Sequence, residues 1–246
     1  MKPIHSMNKK FLTTRVLLTF SLILSSTQSW ADVGALKNDI LSRIHRGDKP
    51  VILMIDMQET TSKLPWLPAQ APGNKKIWKN QIEMLKFANE NKLHVFDINY
   101  IDRFSLRDNY GGDRSRYLEH NPTFKKLKSE MYKFGPERYH YVVKETVEID
   151  TSSQSKIIQF INQNQIDSAV IMGFNSDCCV RHTAYVLSKE QRINVLVSED
   201  IVTNKANKPG ISSTWTELGL DTDPNVHIFR KQKQPFDFNA ACYSGA

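Results

Sequence analysis

Short apolar runs alternate with helical patterns along most of this chain, and this alternation restricts the fold more than any other feature. The run at residues 51–56 is continuously apolar up to its last residue, which is typical of a central parallel strand covered on both faces. The alternation therefore predicts an α/β fold, a mostly parallel sheet with helices on its faces. The predicted strands are 51–56, 93–98, 139–144, 168–173, 195–198 and 226–229, and the predicted helices are 75–91, 123–132, 152–164, 180–190 and 211–218.

Residues 173–184 read Gly-Phe-Asn-Ser-Asp-Cys-Cys-Val-Arg-His-Thr-Ala and join the predicted strand 168–173 to the predicted helix 180–190. A cysteine at such a turn lies near the free N–H groups at the start of a helix, which favour a thiolate. This is a place for a nucleophile. The alternative is a small buried cysteine that only fills space at the helix start.

Two other predicted strands end in a charged residue. Asp56 ends the run 51–56, and Lys144 ends the run 139–144. Ligands in open α/β sheets bind outside the carboxyl ends of the strands, so these side chains and the cysteines are expected to meet there. An acid, a lysine and a cysteine suit nucleophilic catalysis, because a thiol needs a base to remove its proton. Taken singly, the carboxylate can instead cap a loop, and the lysine can be solvated.

Together these segments resemble the isochorismatase-like cysteine hydrolase superfamily. Its aspartate lies in a segment like Ile-Asp-Met-Gln at residues 55–58, and its lysine ends a central strand, as Lys144 does. Its cysteine lies in a Gly-x-x-Thr-Asp-x-Cys-Val-x-x-Thr-Ala segment. Residues 173–184 match that segment apart from Ser176, which replaces the threonine, and the match places the nucleophile at Cys179. The resemblance implies a three-layer α/β/α sandwich with a six-stranded, mostly parallel sheet of Rossmann-like topology.

The resemblance also implies a role for each residue. Cys179 attacks a carbonyl carbon, Asp56 takes and returns the proton, and Lys144 stabilises the charges. The backbone N–H groups of Asn175 and Cys179 form the oxyanion hole, and the peptide bond between Phe174 and Asn175 is cis. The implied reaction is hydrolysis of a C–N bond in a small amide, ureido or carbamoyl substrate through a thioester, without a cofactor.

Gln58, Tyr100 and Phe174 are the residues expected to contact that small-molecule substrate. Two other functions stay open at this stage. The chain can be a catalytically retired relative that binds a small molecule or a protein partner. It can also be a secreted protein that acts on a host or competitor rather than in nutrient salvage.

The chain departs from its relatives where a substrate would be held. Metal-dependent nicotinamidases carry an Asp-x-His after the second strand, whereas residues 97–100 read Asp-Ile-Asn-Tyr, with no histidine until His120. We therefore predict no metal site and doubt that nicotinamide is the substrate. The residues after Lys144, Glu-Thr-Val-Glu-Ile-Asp, and those after Gln58, Glu-Thr-Thr, also differ from the family pattern, which predicts an unusual pocket.

Residues 101–120 form a long polar stretch with a Gly-Gly pair and four arginines, Arg103, Arg107, Arg114 and Arg116. Long loops without secondary structure are often functional lids. The stretch is therefore predicted to be a loop over the site, in which one arginine clamps a substrate carboxylate. The alternative is a solvated surface loop with ordinary charges.

The first thirty-one residues read as a secretory signal peptide, and residues 32–246 as a single hydrolase domain. Lys9, Lys10 and Arg15 precede a short uncharged apolar run, and cleavage is predicted after Ala31. Without the four basic residues of 1–31, the formal charge falls from +7 to +3, which does not favour nucleic-acid binding. We therefore expect a periplasmic or secreted protein with no membrane contact after cleavage. The resemblance adds a possible homodimer or homotetramer.

Export would place the three cysteines in an oxidising compartment. Cys178 and Cys242 can bridge and leave Cys179 reduced, or both can stay free, because connectivity is not deducible from sequence. A bridge between the adjacent Cys178 and Cys179 would block the nucleophile and could act as a redox switch.

Overall fold

The computed structural model describes residues 31–59, 75–145, 151–203, 210–211 and 213–230. The chain divides into residues 1–31 and 32–246 as separate units, and the elements below belong to the second unit apart from the first residue of helix α1. Residues 1–30 of the predicted signal peptide and Cys242 lie outside the described residues. No helix among the described residues is long and apolar enough to cross a membrane.

Helices and strands alternate along the described chain. In order they are α1 (Ala31–His45), β1 (Pro50–Ile55), α2 (Lys75–Glu90), β2 (His94–Tyr100), α3 (Arg103–Tyr110), α4 (Arg114–His120), α5 (Lys125–Met131) with a 3-10 turn (Tyr132–Phe134), β3 (Tyr139–Lys144), α6 (Thr151–Asn164), β4 (Ser168–Phe174), α7 (Cys179–Tyr185) with a π turn (Val186–Glu190), β5 (Asn194–Ser198), β6 (Val202–Thr203), α8 (Thr214–Glu217) and β7 (Val226–Phe229).

One parallel sheet organises these elements, and it confirms the predicted α/β fold. The strand order is β3-β2-β1-β4-β5-β7, and every pairing in it is parallel. Strand β5 pairs with the first part of β4, and the short β6 pairs with the end of β4. Strands β5 and β6 therefore share one place in the sheet, which has six strands side by side. Strand β1 lies near the middle and all six of its residues are buried, as its continuous apolar sequence predicted.

All six predicted strands are present, with ends that differ by no more than two residues. Four predicted helices appear as α2, α5, α6 and α7, whereas the fifth is shortened to the single turn of α8. Helix α1 was not predicted, and it joins the core through Val33, Leu36 and Ile40.

The prediction of an unstructured loop at residues 101–120 is wrong, because this stretch forms helices α3 and α4. Asp102 caps α3 by accepting hydrogen bonds from the N–H groups of Phe104 and Ser105, and Asp113 caps α4 in the same way. Gly111 ends α3 in the left-handed conformation, with φ 59°. These capping residues were visible in the sequence and explain why a polar stretch becomes helical.

Asp97 in β2 is a carboxyl group buried in a polar cluster without a cation in hydrogen-bond contact among the described residues. The hydroxyl of Thr123 lies 2.8 Å from both of its oxygens, and the hydroxyl of Tyr139 lies 2.9 Å from Oδ2. Burial raises the pKa of Asp97 to about 6, although the two hydroxyls and the charge of Lys128 oppose the rise. The ionised form is therefore costly inside the folded protein.

We expect Asp97→Asn to remove a pH dependence of stability. The folded protein binds the Asp97 proton more tightly than the unfolded chain does, so wild-type stability falls as the pH rises from about 3.5 to about 7. The rise in pKa from 3.8 to about 6 corresponds to roughly 3 kcal/mol. Denaturant titrations across this range should show that, as the pH rises, the free energy of unfolding of the variant increases by about this amount relative to that of wild type. A difference that stays constant with pH would contradict the prediction.

Candidate active site

The carboxyl ends of β1, β3 and β4 bring Asp56, Lys144 and Cys179 together, as the sequence predicted. Asp56 follows β1 directly and adopts a left-handed conformation, with φ 52°, which aspartate tolerates better than most residues. Its N–H donates to the carbonyl of Ile98 at 2.8 Å, so the turn is held to the neighbouring strand β2. Lys144 is the last residue of β3, and Cys179 is the first residue of α7.

Asp56 and Lys144 form a buried ion pair. The Nζ of Lys144 lies 2.8 Å from Oδ2 of Asp56, and the two side chains are 0% and 3% exposed. Burial lowers the pKa of Lys144, but the attraction of Asp56 and Cys179 outweighs it, so the pKa lies above its usual value. Burial and the neighbouring Cys179 raise the pKa of Asp56 well above its ordinary value. Oδ1 of Asp56 has no well-aligned hydrogen-bond partner among the described residues.

The two cysteines of the α7 turn are free thiols with different environments. The Cys179 thiol interacts with the side chains of Asp56, Lys144 and Cys178. The hydrogen bond with Cys178, followed by burial, raises the pKa of Cys179. The same hydrogen bond lowers the pKa of Cys178 to about 7. The turn was predicted to favour a thiolate, whereas the surroundings of Cys179 raise its pKa and so favour the thiol form beside the carboxyl of Asp56.

The loop from Phe174 to Cys179 presents two backbone N–H groups at the site. The peptide bond between Phe174 and Asn175 is cis, as the resemblance implied. The carbonyl of Asn175 accepts from the N–H groups of Cys178 at 2.9 Å and Val180 at 3.1 Å, which closes the turn. Within the described part of the chain, the N–H groups of Asn175 and Cys179 donate to no protein acceptor. These two groups are available to a ligand oxygen.

Gly173 allows the loop to lie against the strand that carries Asp56. It pairs with Ile55 in the sheet and has φ 131°, a conformation that other residues rarely adopt. A Cβ at this position would lie 2.1 Å from the carbonyl oxygen of Ile55. Only glycine lets β1 and β4 approach this closely just before the aspartate and the cysteine segment.

Two positioning residues were missed by the sequence analysis. The indole N–H of buried Trp215 donates to the carbonyl of Ser176 at 2.7 Å and so ties the cysteine loop to α8. The buried Gln81 of α2 donates to the carbonyl of Ile201 at 2.8 Å, an oxygen that also accepts from the N–H of Gly173. No sequence signal distinguishes them, because each lies in an ordinary amphipathic helix or short polar segment.

The three predicted substrate contacts lie near the site in different settings. The side-chain amide of Gln58 donates to the carbonyls of Tyr100 and Asn121 and accepts from the N–H of Tyr100, so it holds neighbouring segments together. The half-buried ring of Tyr100 lies 5.1 Å from Nζ of Lys144. Phe174 is partly buried against the core. Substrate contact by all three stays a prediction.

The side chains that would have to hold a nicotinamidase-type metal are engaged elsewhere. Asp97 and Asn99 both bond to the hydroxyl of Thr123, in the buried polar cluster described above. In the described part of the chain, no group of three or more His, Cys, Asp or Glu side chains has the spacing of a metal site. These residues do not fit a metal, and no step of the chemistry below uses one.

We expect Lys144→Met to destabilise the protein, because it leaves the carboxylate of Asp56 buried without its cation. The expected loss in free energy of unfolding is roughly 3–5 kcal/mol, measured by denaturant titration at neutral pH. Lys133→Met is the matched control, since Lys133 lies in an exposed pair with Glu130 and its removal should cost less than about 1 kcal/mol. Equal losses in the two variants would contradict a buried, structurally important pair.

We expect Cys178→Ser to lower the pKa of Cys179, because the variant lacks the neighbouring thiol that holds the proton on Cys179. In wild type, iodoacetamide should modify Cys178 first, with a midpoint near pH 7. In the variant, Cys179 should react at neutral pH about tenfold faster than in wild type, the factor that corresponds to one pKa unit. Mass spectrometry with fragmentation of the peptide separates the two adjacent sites. Preferential reaction of Cys179 in wild type would refute this description.

The fold is shared with hydrolases of known structure. The nicotinamidase of Staphylococcus aureus is 14% identical with a TM-score of 0.51, over 74% of this chain and 99% of that chain. The N-carbamoylsarcosine amidase of Thermoplasma acidophilum is 17% identical with a TM-score of 0.52, over 76% and 98%. The pyrazinamidase/nicotinamidase of Streptococcus mutans is 18% identical with a TM-score of 0.52, over 73% and 99%. At these identities the likeness shows the fold.

Sequence comparison gives the family directly. No curated protein matches the chain. The model of the isochorismatase domain matches residues 50–210, which is more than half of the chain and includes all three residues of the site. The matched span begins at β1 and ends after β6, so it covers the strands whose ends carry Asp56, Lys144 and Cys179. The chain therefore belongs to the isochorismatase family.

Proposed function

We propose that this protein is a cysteine hydrolase that cleaves a C–N bond in a small amide, ureido or carbamoyl substrate. The observation that carries the proposal is the meeting of the Cys179 thiol with the buried pair of Asp56 and Lys144. The two available N–H groups of Asn175 and Cys179 add a place for a carbonyl oxygen. Nucleophile, base and oxyanion donors are the parts that acyl transfer needs.

The proposed reaction begins with the thiol, which is protonated at rest. Cys179 passes its proton to Asp56 as its sulfur bonds to the substrate carbonyl carbon, and the carbonyl oxygen becomes an oxyanion held by the two N–H groups. The raised pKa of Asp56 suits this transfer, because a stronger base accepts the proton more readily. Lys144 stabilises whichever of the two partners is negatively charged.

The second half of the proposed reaction returns the proton. Asp56 donates it to the leaving nitrogen as the C–N bond breaks, which leaves a thioester on Cys179 and releases an amine or ammonia. The ionised Asp56 then removes a proton from a water molecule, whose oxygen attacks the thioester. The thiol leaves with that proton, and the acid product departs. Every step uses residues of this chain and water alone.

The enzymes with similar structures support this choice of bond. Nicotinamidase and N-carbamoylsarcosine amidase are both named for C–N hydrolysis. The side chains that hold the metal in metal-dependent relatives do not fit one here, so a substrate other than nicotinamide is proposed. The competing function, a retired relative that binds without turnover, is favoured only by the protonated resting state of Cys179.

We further propose that the protein is exported. The support is the sequence of residues 1–31, with its basic start, short apolar run and small residues before the predicted cut after Ala31. The substrate would then be encountered in the periplasm or outside the cell. Assembly into a dimer or tetramer is part of the same proposal and is supported only by the resemblance.

Ammonia release from a panel of primary amides, ureido acids and carbamoyl compounds tests the proposal. We expect turnover by the wild type, loss of all turnover in Cys179→Ala, and a decrease of at least about a hundredfold in kcat for Asp56→Asn, since removal of a catalytic base typically costs this much. Rapid acid quenching followed by mass spectrometry should detect an acyl group on Cys179. Binding of panel members without turnover, equally in wild type and Cys179→Ala, would instead support the retired relative.

A further inference from the structure

We propose that Arg103 and Arg114 form an anion-binding pair at the mouth of the active site, and that the substrate is a small amide or ureido compound carrying a carboxylate. This inference rests on the proposed function, because it takes Cys179 as the reacting group. It goes further by naming the charge of the substrate and the side chains that select it.

The arginine pair lies at the strand ends that carry the site. Glu145 directly follows the catalytic Lys144, and it forms ion pairs with both Arg103 and Arg114. The N–H of Ile101 donates to the carbonyl of Lys144 at 2.8 Å, and Arg103 follows two residues later. Because consecutive Cα atoms are about 3.8 Å apart, these short connections keep the start of α3 within roughly 11 Å of the end of β3.

The pair has unused hydrogen-bond donors. Arg103 contacts Glu145 through Nε at 3.3 Å, and Arg114 contacts the other carboxylate oxygen through Nη1. Each guanidinium has five N–H groups in a planar fork. Within the described part of the chain, neither arginine has another side-chain partner, and their side chains are 65% and 52% exposed. One carboxylate therefore holds two guanidinium groups whose remaining donors face solvent, and a second carboxylate can bind between them.

The helices that carry the arginines are fastened to the site and are not a free loop. The N–H of Asp102 donates to the hydroxyl of buried Tyr117 at 3.1 Å, which ties the start of α3 to α4. The end of α4 is tied in turn, because Gln58 donates to the carbonyl of Asn121 at 3.0 Å. Gln58 lies two residues after Asp56. The arginines are thereby held in place before any substrate arrives, which reduces the entropy lost on binding.

The carboxylates of Asp102 and Asp113, which lie next to the arginines in sequence, do not pair with them. Asp102 and Asp113 direct their carboxylates to the backbone N–H groups at the starts of α3 and α4. Arg107, on the same pair of helices, is paired with Asp108 at 2.6 Å. Lys144 is matched by Asp56 in the interior. The open donors of Arg103 and Arg114 are therefore available to an anionic ligand in the described structure.

The test compares two alkylating reagents of similar size and different charge on the same thiol. The rate constant for Cys179 is measured with iodoacetate, an anion, and with iodoacetamide, which is neutral, using the full chain with Cys178→Ser as the common background, so that the neighbouring thiol does not react first, and mapping by mass spectrometry. The ratio of the two rate constants cancels the fraction of thiolate, because both reagents react with the same group. It therefore reports how strongly the site favours an anionic reagent over a neutral one.

We expect the double variant Arg103→Gln, Arg114→Gln to lower the iodoacetate-to-iodoacetamide ratio about threefold to tenfold, the size expected for removing two nearby partly screened charges. The matched control is Arg107→Gln with Arg116→Gln, which removes the same charge from the same helices and should leave the ratio within about twofold, because neither arginine belongs to the pair held by Glu145. Glu145→Gln, which releases both arginines, should raise the ratio. This opposite sign cannot result from unfolding.

Two results would overturn the inference. If Cys179 reacts with both reagents and the ratio is the same in wild type and the Arg103/Arg114 variant, the arginines do not select an anion, and the proposed hydrolase remains. If the control variant lowers the ratio as much as the test variant, the effect is one of overall charge and not of this pair. A Cys179 that reacts with neither reagent would contradict the proposed function itself, and with it the inference.

Discussion

The buried pair of Asp56 and Lys144 is the interaction on which the rest of this site depends. Two charges removed from water are costly unless they stay in contact, so the ends of β1 and β3 must keep a fixed relation. These strands are not neighbours, because β2 lies between them. The N–H of Asp56 donates to Ile98 of β2, and the N–H of Ile101 donates to the carbonyl of Lys144. The register of three parallel strands thereby sets the distance between acid and lysine.

The cysteine loop is held to this pair from the other side. Gly173 lets β4 approach β1 to a distance that any side chain would prevent, and Trp215 and Gln81 bind the carbonyls around the loop. The thiol thus meets a carboxyl group whose proton affinity is raised by burial. The low polarity that makes this ion pair costly also raises the proton affinity of Asp56, which supports the proposed proton transfer.

The sequence predicted the elements that follow from local patterns and missed those that depend on contacts. The strands were found because buried parallel strands are continuously apolar, and Cys179 because its segment is specific. Helices α3 and α4 were missed because their caps, Asp102 and Asp113, were interpreted as part of a polar loop. The hydrogen bonds by which the amide of Gln58 holds the carbonyls of Tyr100 and Asn121 were not predicted either. The local sequence around a side chain does not indicate which distant residues it will contact in the folded protein.

The sequence by itself determined the family, the order of strands and helices along the chain, and the three residue types at the strand ends, because these follow from short segments and hydrophobic periodicity. Only the tertiary structure decided how those residues share protons. The sequence pattern suggested a thiolate at Cys179, but the hydrogen bond with the adjacent Cys178 and burial raise the pKa of Cys179. Likewise, no sequence signal distinguished Arg103 and Arg114 from the other two arginines of residues 101–120. In the folded structure these two both form ion pairs with Glu145. Protonation and charge pairing depend on distance and on exclusion of water, which exist only once the chain has folded.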